Sequence, residues 1–414
     1  SGDWDETDTW SCNCVPDENA DNVTIDTGDD VSITANQSVG NLIVDGTLSF
    51  TGSDTLSVFG NLTFNGTLTE GNGTIAAVKS TSTQNFDNAS ASRIDFNNLY
   101  INNSNGLFLT SGGWAIGNNL QVSAGSFDVT AADSIVLLST STKTSQILES
   151  VNASISGEFI IQRYISTRDA NYANISSPIL NATVADLDDD LYLSGVNGDD
   201  GNIMNGSEIF RSVFTFNNGN SKHKFLDDLT DALPRTDGIE VYLLTDGLTY
   251  FSDETVDFRG TPFNGGSWVT TSELWNFVGN PYHSFVNFED IRVDADILEE
   301  YYIFNSSTGT YDHFNSLPLP AIAPEQSFWI FKNMGTGSSN GLRFDEDKKG
   351  DSNSPTFLRE KRNQNFTLKL SNNQNDFSHE MKLNFDAMAN AEMDYFDRPL
   401  LPSPIKEAPA IFSK

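Results

Sequence analysis

Hard oxygen ligands gather twice in this sequence, in Asp186-Leu187-Asp188-Asp189-Asp190 and in Asn197-Gly198-Asp199-Asp200-Gly201-Asn202. Calcium takes about six to eight oxygens and is usually held by loops. Asp186, Asp188, Asp190, Asn197, Asp199 and Asp200 are therefore the residues that could hold a structural Ca2+. Neither stretch has EF-hand spacing, and solvated loop acids are the plainer reading of both. No motif requires any other cofactor.

Reactive chemistry is harder to assemble. Gly337-Ser338-Ser339-Asn340-Gly341 satisfies G-x-S-x-G literally, but a nucleophile elbow needs a strand before it, a helix after it and a reachable histidine. Leu342-Arg343-Phe344 reads as a strand, so the motif reads as a Gly/Ser turn. His223, His283, His313 and His379 lie in four separate segments without metal spacing, and His283 reads as a loop position. Glycan hydrolysis would need two carboxylates about 5–10 Å apart, and 57 acidic residues give no means of nominating a pair. The expectation is a non-enzyme. Trp268, after Gly265-Gly266-Ser267 at a loop tip, could stack on a sugar ring. Cys12 and Cys14 are the only cysteines: a short C-x-C bridge, two free thiols, or one partner outside the sequence are the alternatives.

The element that organises the chain is an internal repeat. Gly40-Asn41-Leu42, Gly60-Asn61-Leu62, Asn97-Asn98-Leu99 and Asn118-Asn119-Leu120 return with leucine spacings of 20, 37 and 21, and the gap of 37 holds a degenerate turn near Ile75 to Val78. A unit of about 20 residues is too short to fold alone and falls within the solenoid range. Alternating triplets such as Leu42-Ile43-Val44 and Leu56-Ser57-Val58, separated by Gly, Asn, Asp and Thr, read as strands with inward apolar and outward polar residues. At ~20 residues per turn, Ile25 to Gly157 makes about six turns.

Length and charge bound the rest. A chain of 414 residues implies two or three domains. The predicted organisation is all-β: a solenoid cap at 1–30, a short β-solenoid of the right-handed parallel β-helix type at 31–157, an antiparallel β-sandwich at 158–345, a linker or long loop at 346–360, and further sandwich strands at 361–414. In the second region Phe210 to Phe216, Gly238 to Thr245, Leu274 to Val278, Tyr301 to Phe304 and Ser327 to Phe331 read as strands, and Leu226 to Leu229 as one helical turn. Phe366 to Leu370 and Met381 to Phe385 alternate as two strands of one sheet. The net charge of −34 argues against nucleic acid and anionic membrane as partners. No run of ~18 apolar residues is present to span a bilayer. The opening residues do not form a signal peptide, and Ile411-Phe412 reads as the start of another strand, so the natural chain is expected to extend beyond both ends.

The order of these parts resembles large surface proteins of the Bacteroidota exported by the type IX secretion system. Gly2-Asp3-Trp4, Thr9-Trp10, Val15-Pro16 and Asp21-Asn22-Val23-Thr24-Ile25 are similar to the entry to their solenoids. Arg163-Tyr164-Ile165, Ile175-Ser176-Ser177-Pro178, Trp275 to Tyr282 and Pro324 to Ile330 resemble the phrases that follow, with His283 where proline is usual. Asp386-Ala387-Met388 with Asp394 and Asp397 is similar to a later segment, although Arg398 stands where alanine is usual. The resemblance implies an extracellular or cell-surface location, contact with the secretion machinery during export, and partners among extracellular glycans or other surface proteins. It also implies O-glycosylation at Asp54-Thr55-Leu56 and Asp133-Ser134-Ile135, on Thr55 and Ser134. Asn-x-Ser/Thr triplets, as at Asn61, Asn65 and Asn72, are compositional in so polar a chain. The function implied is that of a structural, adhesive spacer; the rival is an accessory or carbohydrate-binding region of a secreted polysaccharide hydrolase.

Overall fold

The structure is a computed structural model. It describes residues 1–350 apart from 17–20, 151–152, 167–171, 199–201, 203, 206, 219–221, 244–252, 273, 306–309 and 335–340, together with the strands Asn365–Ser371 and Ser378–Asn384. The fold is all-β, 51% strand and 5% helix, with a parallel β-solenoid of about 7 turns and antiparallel sheets elsewhere. The solenoid exceeds the six turns expected because strand pairing reaches past both ends of the counted repeat. Gly2–Asp3 pairs in parallel with Val31 and Ser32, and Ile160 and Ile161 pair in parallel with Val136 and Leu137.

The Gly-Asn-Leu phrase turns out to occupy two faces. Leu42 pairs with Leu62, and Leu62 with Phe86, on one sheet. Leu99 pairs with Leu120 on another, in a column that runs back through Ile75 to Leu56. The spacing of 37 therefore hides a change of face. Long strands accommodate it: Ile94–Asn102 shifts register between Phe96 and Asn98, while Gly113–Asp128 pairs in turn with three strands that follow it in sequence as it rounds the corners. Leu56, Ile75, Leu99 and Leu120 are all buried; each such side chain contributes ~1.5–3 kcal/mol of transfer energy.

Corners explain the Asn and Gly between the triplets. The amides of Asn65 and Gly66 both donate to the carbonyl of Val44, one turn earlier, and a Cβ on Gly66 would stand 2.0 Å from the carbonyl oxygen of Gly46. Only glycine permits that approach. Asparagine satisfies the exposed corner groups: Asn41 donates to Asn22 at 2.6 Å and accepts from the Asn61 amide at 2.7 Å, and the Asn85 amide reaches Asn61 at 3.1 Å. At the N-terminal end Trp4 is fully buried in the solenoid core. Its indole donates to Pro16, and the Trp10 indole donates to the Trp4 carbonyl.

Beyond the solenoid lie two four-stranded antiparallel sheets. One orders Tyr172–Ile175, Ile239–Tyr242, Val213–Asn217 and Lys222–Phe225; the other orders Leu274–Gly279, Ser327–Lys332, Tyr301–Asn305 and Thr310–Phe314. Residues 226–229 do not form the helical turn expected. Asp228 instead makes a bridge with Asn197 and an Asx-type turn in which it accepts from the amide and hydroxyl of Thr230. Among the described residues the two α-helices are Ala185–Asp188 and Phe288–Ile291. Asn365–Ser371 pairs with Ser378–Asn384, Phe366 opposite Leu383 and Leu368 opposite Met381.

Strand Phe159–Ser166 joins the two regions. One edge continues the parallel solenoid, and the other pairs in antiparallel register with Asp253–Gly260 from Phe159–Gly260 to Ser166–Asp253. A single apolar cluster accordingly runs from Trp4 through Phe159 to Phe258.

Candidate functional site at the junction

Between the solenoid strands Ser134–Leu137 and Gln146–Ile147 lies Ser139-Thr140-Ser141-Thr142-Lys143-Thr144-Ser145, a run whose hydroxyls bond locally and so favour a tight turn over a strand. Ser139 and Thr144 share a hydroxyl contact of 2.7 Å, and Thr140 accepts from the Lys143 amide. This turn presents Ser145 to the loop between Leu274–Gly279 and Phe285–Val286. There Ser145 Oγ lies 2.9 Å from Nε2 of His283, and His283 Nδ1 lies 2.6 Å from Oε1 of Glu325. A carboxylate only accepts, so the network assigns a proton to Nδ1; in that neutral tautomer Nε2 accepts from the serine hydroxyl.

These are the distances of a nucleophile, a base and an orienting acid. Two features bear on what the set can do. All three residues are buried, with exposures of 0%, 2% and 0% for Ser145, His283 and Glu325. The neighbouring amides that could stabilise an oxyanion are already engaged: Ser145 donates to Leu138, Ile147 donates to the carbonyl of His283, and Gln146 is held in the ladder opposite Asn119. What the arrangement does chemically is link three buried polar side chains across the boundary between the regions, with Oε2 of Glu325 left without a hydrogen-bond partner among the described residues.

Glu325 is held firmly. It adopts φ = 50°, a left-handed conformation that costs a non-glycine residue about 1–3 kcal/mol. Its carbonyl accepts from the Ser176 amide at 2.9 Å, and its carboxylate anchors His283. Burial pushes the Arg163 guanidinium down, and the charge of Glu325 opposes that shift. A second lock lies alongside. Glu346 accepts from the amides of Ser150 in the solenoid and Gly265 in the sheet region, and pairs with Lys349 at 2.9 Å. Lys349 is buried against the Tyr282 ring, 4.8 Å from its centroid; burial lowers its pKa and Glu346 partly restores it. Residues 346–350 are thus packed, while 351–360 lie outside the described residues.

The acidic stretches are not drawn into one centre. Asp186 accepts from the Thr183 amide at the start of its own helix. Asp190 accepts from the Asp257 amide at 2.6 Å, and Asn197 donates to Asp228. Burial, with Asp189, Asp257 and Glu254 close by, raises Asp190 to about 6. Asp188 lies in the same short helix; Asp199 and Asp200 lie outside the described residues. Among the described residues no group of three or more His, Cys, Asp or Glu has metal-holding geometry.

The other sequence candidates are dispersed. Trp268 sits not on a loop tip but in the short strand Ser267–Val269, opposite Arg343, and is 60% exposed. Arg343 lies over the indole at 5.2 Å and also lines an open cleft of about 470 Å³ with Asp290, Val293, Asp345, Glu346 and Lys348. Thr55 and Ser134 each open a solenoid strand, half-buried, with the apolar residue that follows turned inward. Cys12 and Cys14 are joined in a disulfide. Of the G-x-S-x-G motif only Gly341 is described, followed by the strand Leu342–Phe344.

Sequence reasoning missed Ser145 and Glu325. No spacing signal links residues 138 positions apart; the one local sign was a polar histidine in a loop phrase where proline is usual. Among the described residues no helix is long and apolar enough to cross a membrane. Comparison with known proteins found no matching family model, no similar curated protein and no similar solved structure.

Proposed function

We propose that this chain is a non-catalytic segment of a large secreted cell-surface protein, acting as a stiff spacer and display scaffold in an adhesive role. One observation carries the reading: strand Phe159–Ser166 is laddered into the solenoid on one edge and, on the other, to Asp253–Gly260 from the later part of the chain. Two regions that share a strand, an apolar cluster and the Ser145–His283–Glu325 contact have no free hinge between them. A rod that carries load or holds a ligand away from a surface needs that continuity. On this reading the chain is cargo of the type IX secretion machinery, lies outside the cell, and carries sugar on Thr55 and Ser134. The resemblance of the entry and junction phrases supports that part. The test is single-molecule pulling between handles at the two ends. A spacer of this kind yields the solenoid and the first antiparallel sheet in one cooperative rupture; two well-separated ruptures with a compliant intermediate would sink it.

The exposure of Trp268 favours a second reading, an accessory carbohydrate-binding region of a secreted hydrolase. An indole 60% exposed beside a cleft with both carboxylates and Arg343 can stack on a sugar while the polar groups bond its hydroxyls. Glycan-array binding that disappears in Trp268→Ala supports it; no binding in either protein leaves the spacer alone.

A further inference from the structure

Asn264, Glu346 and Lys349 meet in a set that the proposed spacer role does not use. Lys349 Nζ lies 2.9 Å from Oε2 of Glu346 and donates to Oδ1 of Asn264 at 3.0 Å. The lysine side chain is 1% exposed, and its Nζ stands 4.8 Å from the centre of the Tyr282 ring. An amine, a carboxamide and a carboxylate are thus in contact against an aromatic face.

Each of the three is held in place. Lys349 pairs with Val286 in a short antiparallel ladder. Phe263, before the asparagine, stacks on Tyr282 with centroids 5.6 Å apart. Gly265, after it, donates its amide to Glu346 Oε1 and accepts from the Tyr282 hydroxyl. Glu346 therefore grips the backbone beside Asn264 with one oxygen and meets the lysine with the other. The carboxamide carbon of Asn264 is one C=O bond from Oδ1, about 1.2 Å, which puts it within about 4.2 Å of Nζ. A turn of the carboxamide closes that to the about 3–3.5 Å of a near-attack contact. Burial lowers the pKa of Lys349, with Glu346 and Glu149 opposing, and the neutral amine is the nucleophilic form.

We propose that Lys349 and Asn264 join in an intramolecular amide bond, with Glu346 carrying the protons. Passing one proton from Lys349 to Glu346 turns the ion pair into a neutral amine and a carboxylic acid. The amine attacks Cγ of Asn264, the acid protonates the departing nitrogen, and the carboxylate that remains removes the surplus proton from the new amide. The Nζ–Cγ bond replaces the Cγ–Nδ2 bond, and one ammonium ion is released through the open cleft that Glu346 lines. No oxidant, reductant or further reactant is needed. The bond closes a covalent ring between residues 85 positions apart, and that ring encloses the whole sheet of Leu274–Gly279, Ser327–Lys332, Tyr301–Asn305 and Thr310–Phe314.

Peptide mapping of the folded chain by mass spectrometry tests this. The expected result is one tryptic species in which the peptides of Asn264 and Lys349 are joined, uncleaved after Lys349 and lighter than their sum by one ammonia. The join separates this bond from a succinimide at Asn264-Gly265, which loses the same ammonia and links nothing. Lys349→Arg and Glu346→Gln should each leave the peptides separate. Pulled from its two ends, the unaltered chain should reach a final length about 280–300 Å shorter than Lys349→Arg, because the ring withholds its residues from extension. Separate peptides in the unaltered protein overturn the proposal, and a join that survives in Glu346→Gln overturns the role given to Glu346. If a variant does not fold, the map of the unaltered protein decides alone.

Discussion

Ser145 Oγ and His283 Nε2 meet at 2.9 Å across 138 residues of sequence, one from a turn of the solenoid and one from the sheet region. Removing either partner strands a buried polar group. His283→Ala should therefore destabilise the protein by ~2–4 kcal/mol, because it also leaves Glu325 buried without its donor, whereas Ser145→Ala should cost only ~1 kcal/mol. Urea unfolding measures both. A loss under about 0.5 kcal/mol for His283→Ala would mean the contact does not hold the regions together.

The same serine should be inert. With its hydroxyl buried and the flanking amides engaged, a fluorophosphonate reagent should not label Ser145 in the folded protein. Stoichiometric labelling there, located by peptide mass, would instead make the junction a reactive centre.

Two glycines separate close approach from mere flexibility. Gly66→Ala forces a methyl group against the Gly46 carbonyl and should cost upward of ~2 kcal/mol. Gly117→Ala meets nothing nearer than 3.7 Å and should change stability by less than ~0.5 kcal/mol. Equal effects in thermal unfolding would refute the corner argument.

Glu240 sets a pH dependence. Burial pushes its carboxyl up from 4.5 to about 8, with Tyr311 opposing. The unfolded chain releases this proton near 4.5 while the folded protein keeps it to about 8. Stability is therefore full below the lower value and falls as pH rises between the two. The loss should be ~4–5 kcal/mol by pH 8 and be absent from Glu240→Gln. A parallel decline in both proteins would assign the effect elsewhere.

Asp190 should act the same way over a lower window. Its carboxyl is raised to about 6 by burial and by its acidic neighbours, so its share of stability falls as pH rises from about 4 to about 6. It is half-exposed, which screens the effect. Asp190→Asn keeps an acceptor for the Asp257 amide and removes the repulsion. It should stabilise the protein at pH 7 by no more than ~1 kcal/mol, with the gain gone by pH 4. Destabilisation at pH 7 would show that the charge itself is needed.

The fold was legible where local pattern and burial agree. Alternation in Leu42-Ile43-Val44 and Leu56-Ser57-Val58 marked solenoid strands because every second side chain enters one core, and the antiparallel strands at Tyr301 and Ser327 were marked by their bounding turns. Which face a strand joins was not legible. Asn41-Leu42 and Asn119-Leu120 read alike, yet they belong to different sheets, since a corner phrase serves any corner. Residues 226–229 misled because a Leu-Asp-Asp-Leu pattern suits a helix as well as an Asx turn. Ser145, His283 and Glu325 stayed hidden for a different reason: long-range polar contacts carry no periodicity, and only the folded chain brings them within bonding distance.

Strand Phe159–Ser166 also imposes an order of events on a chain that emerges from its N-terminus. The solenoid can grow turn upon turn, each new strand finding its template already in place. Phe159–Ser166 docks on Val136 and Leu137 in the same manner, but its outer edge then waits for Asp253–Gly260. Until that later strand arrives, a row of unpaired amides and carbonyls stands open to any other extended chain. The junction that makes the finished molecule continuous is thus the point at which an unfinished one is most prone to pair with its neighbours.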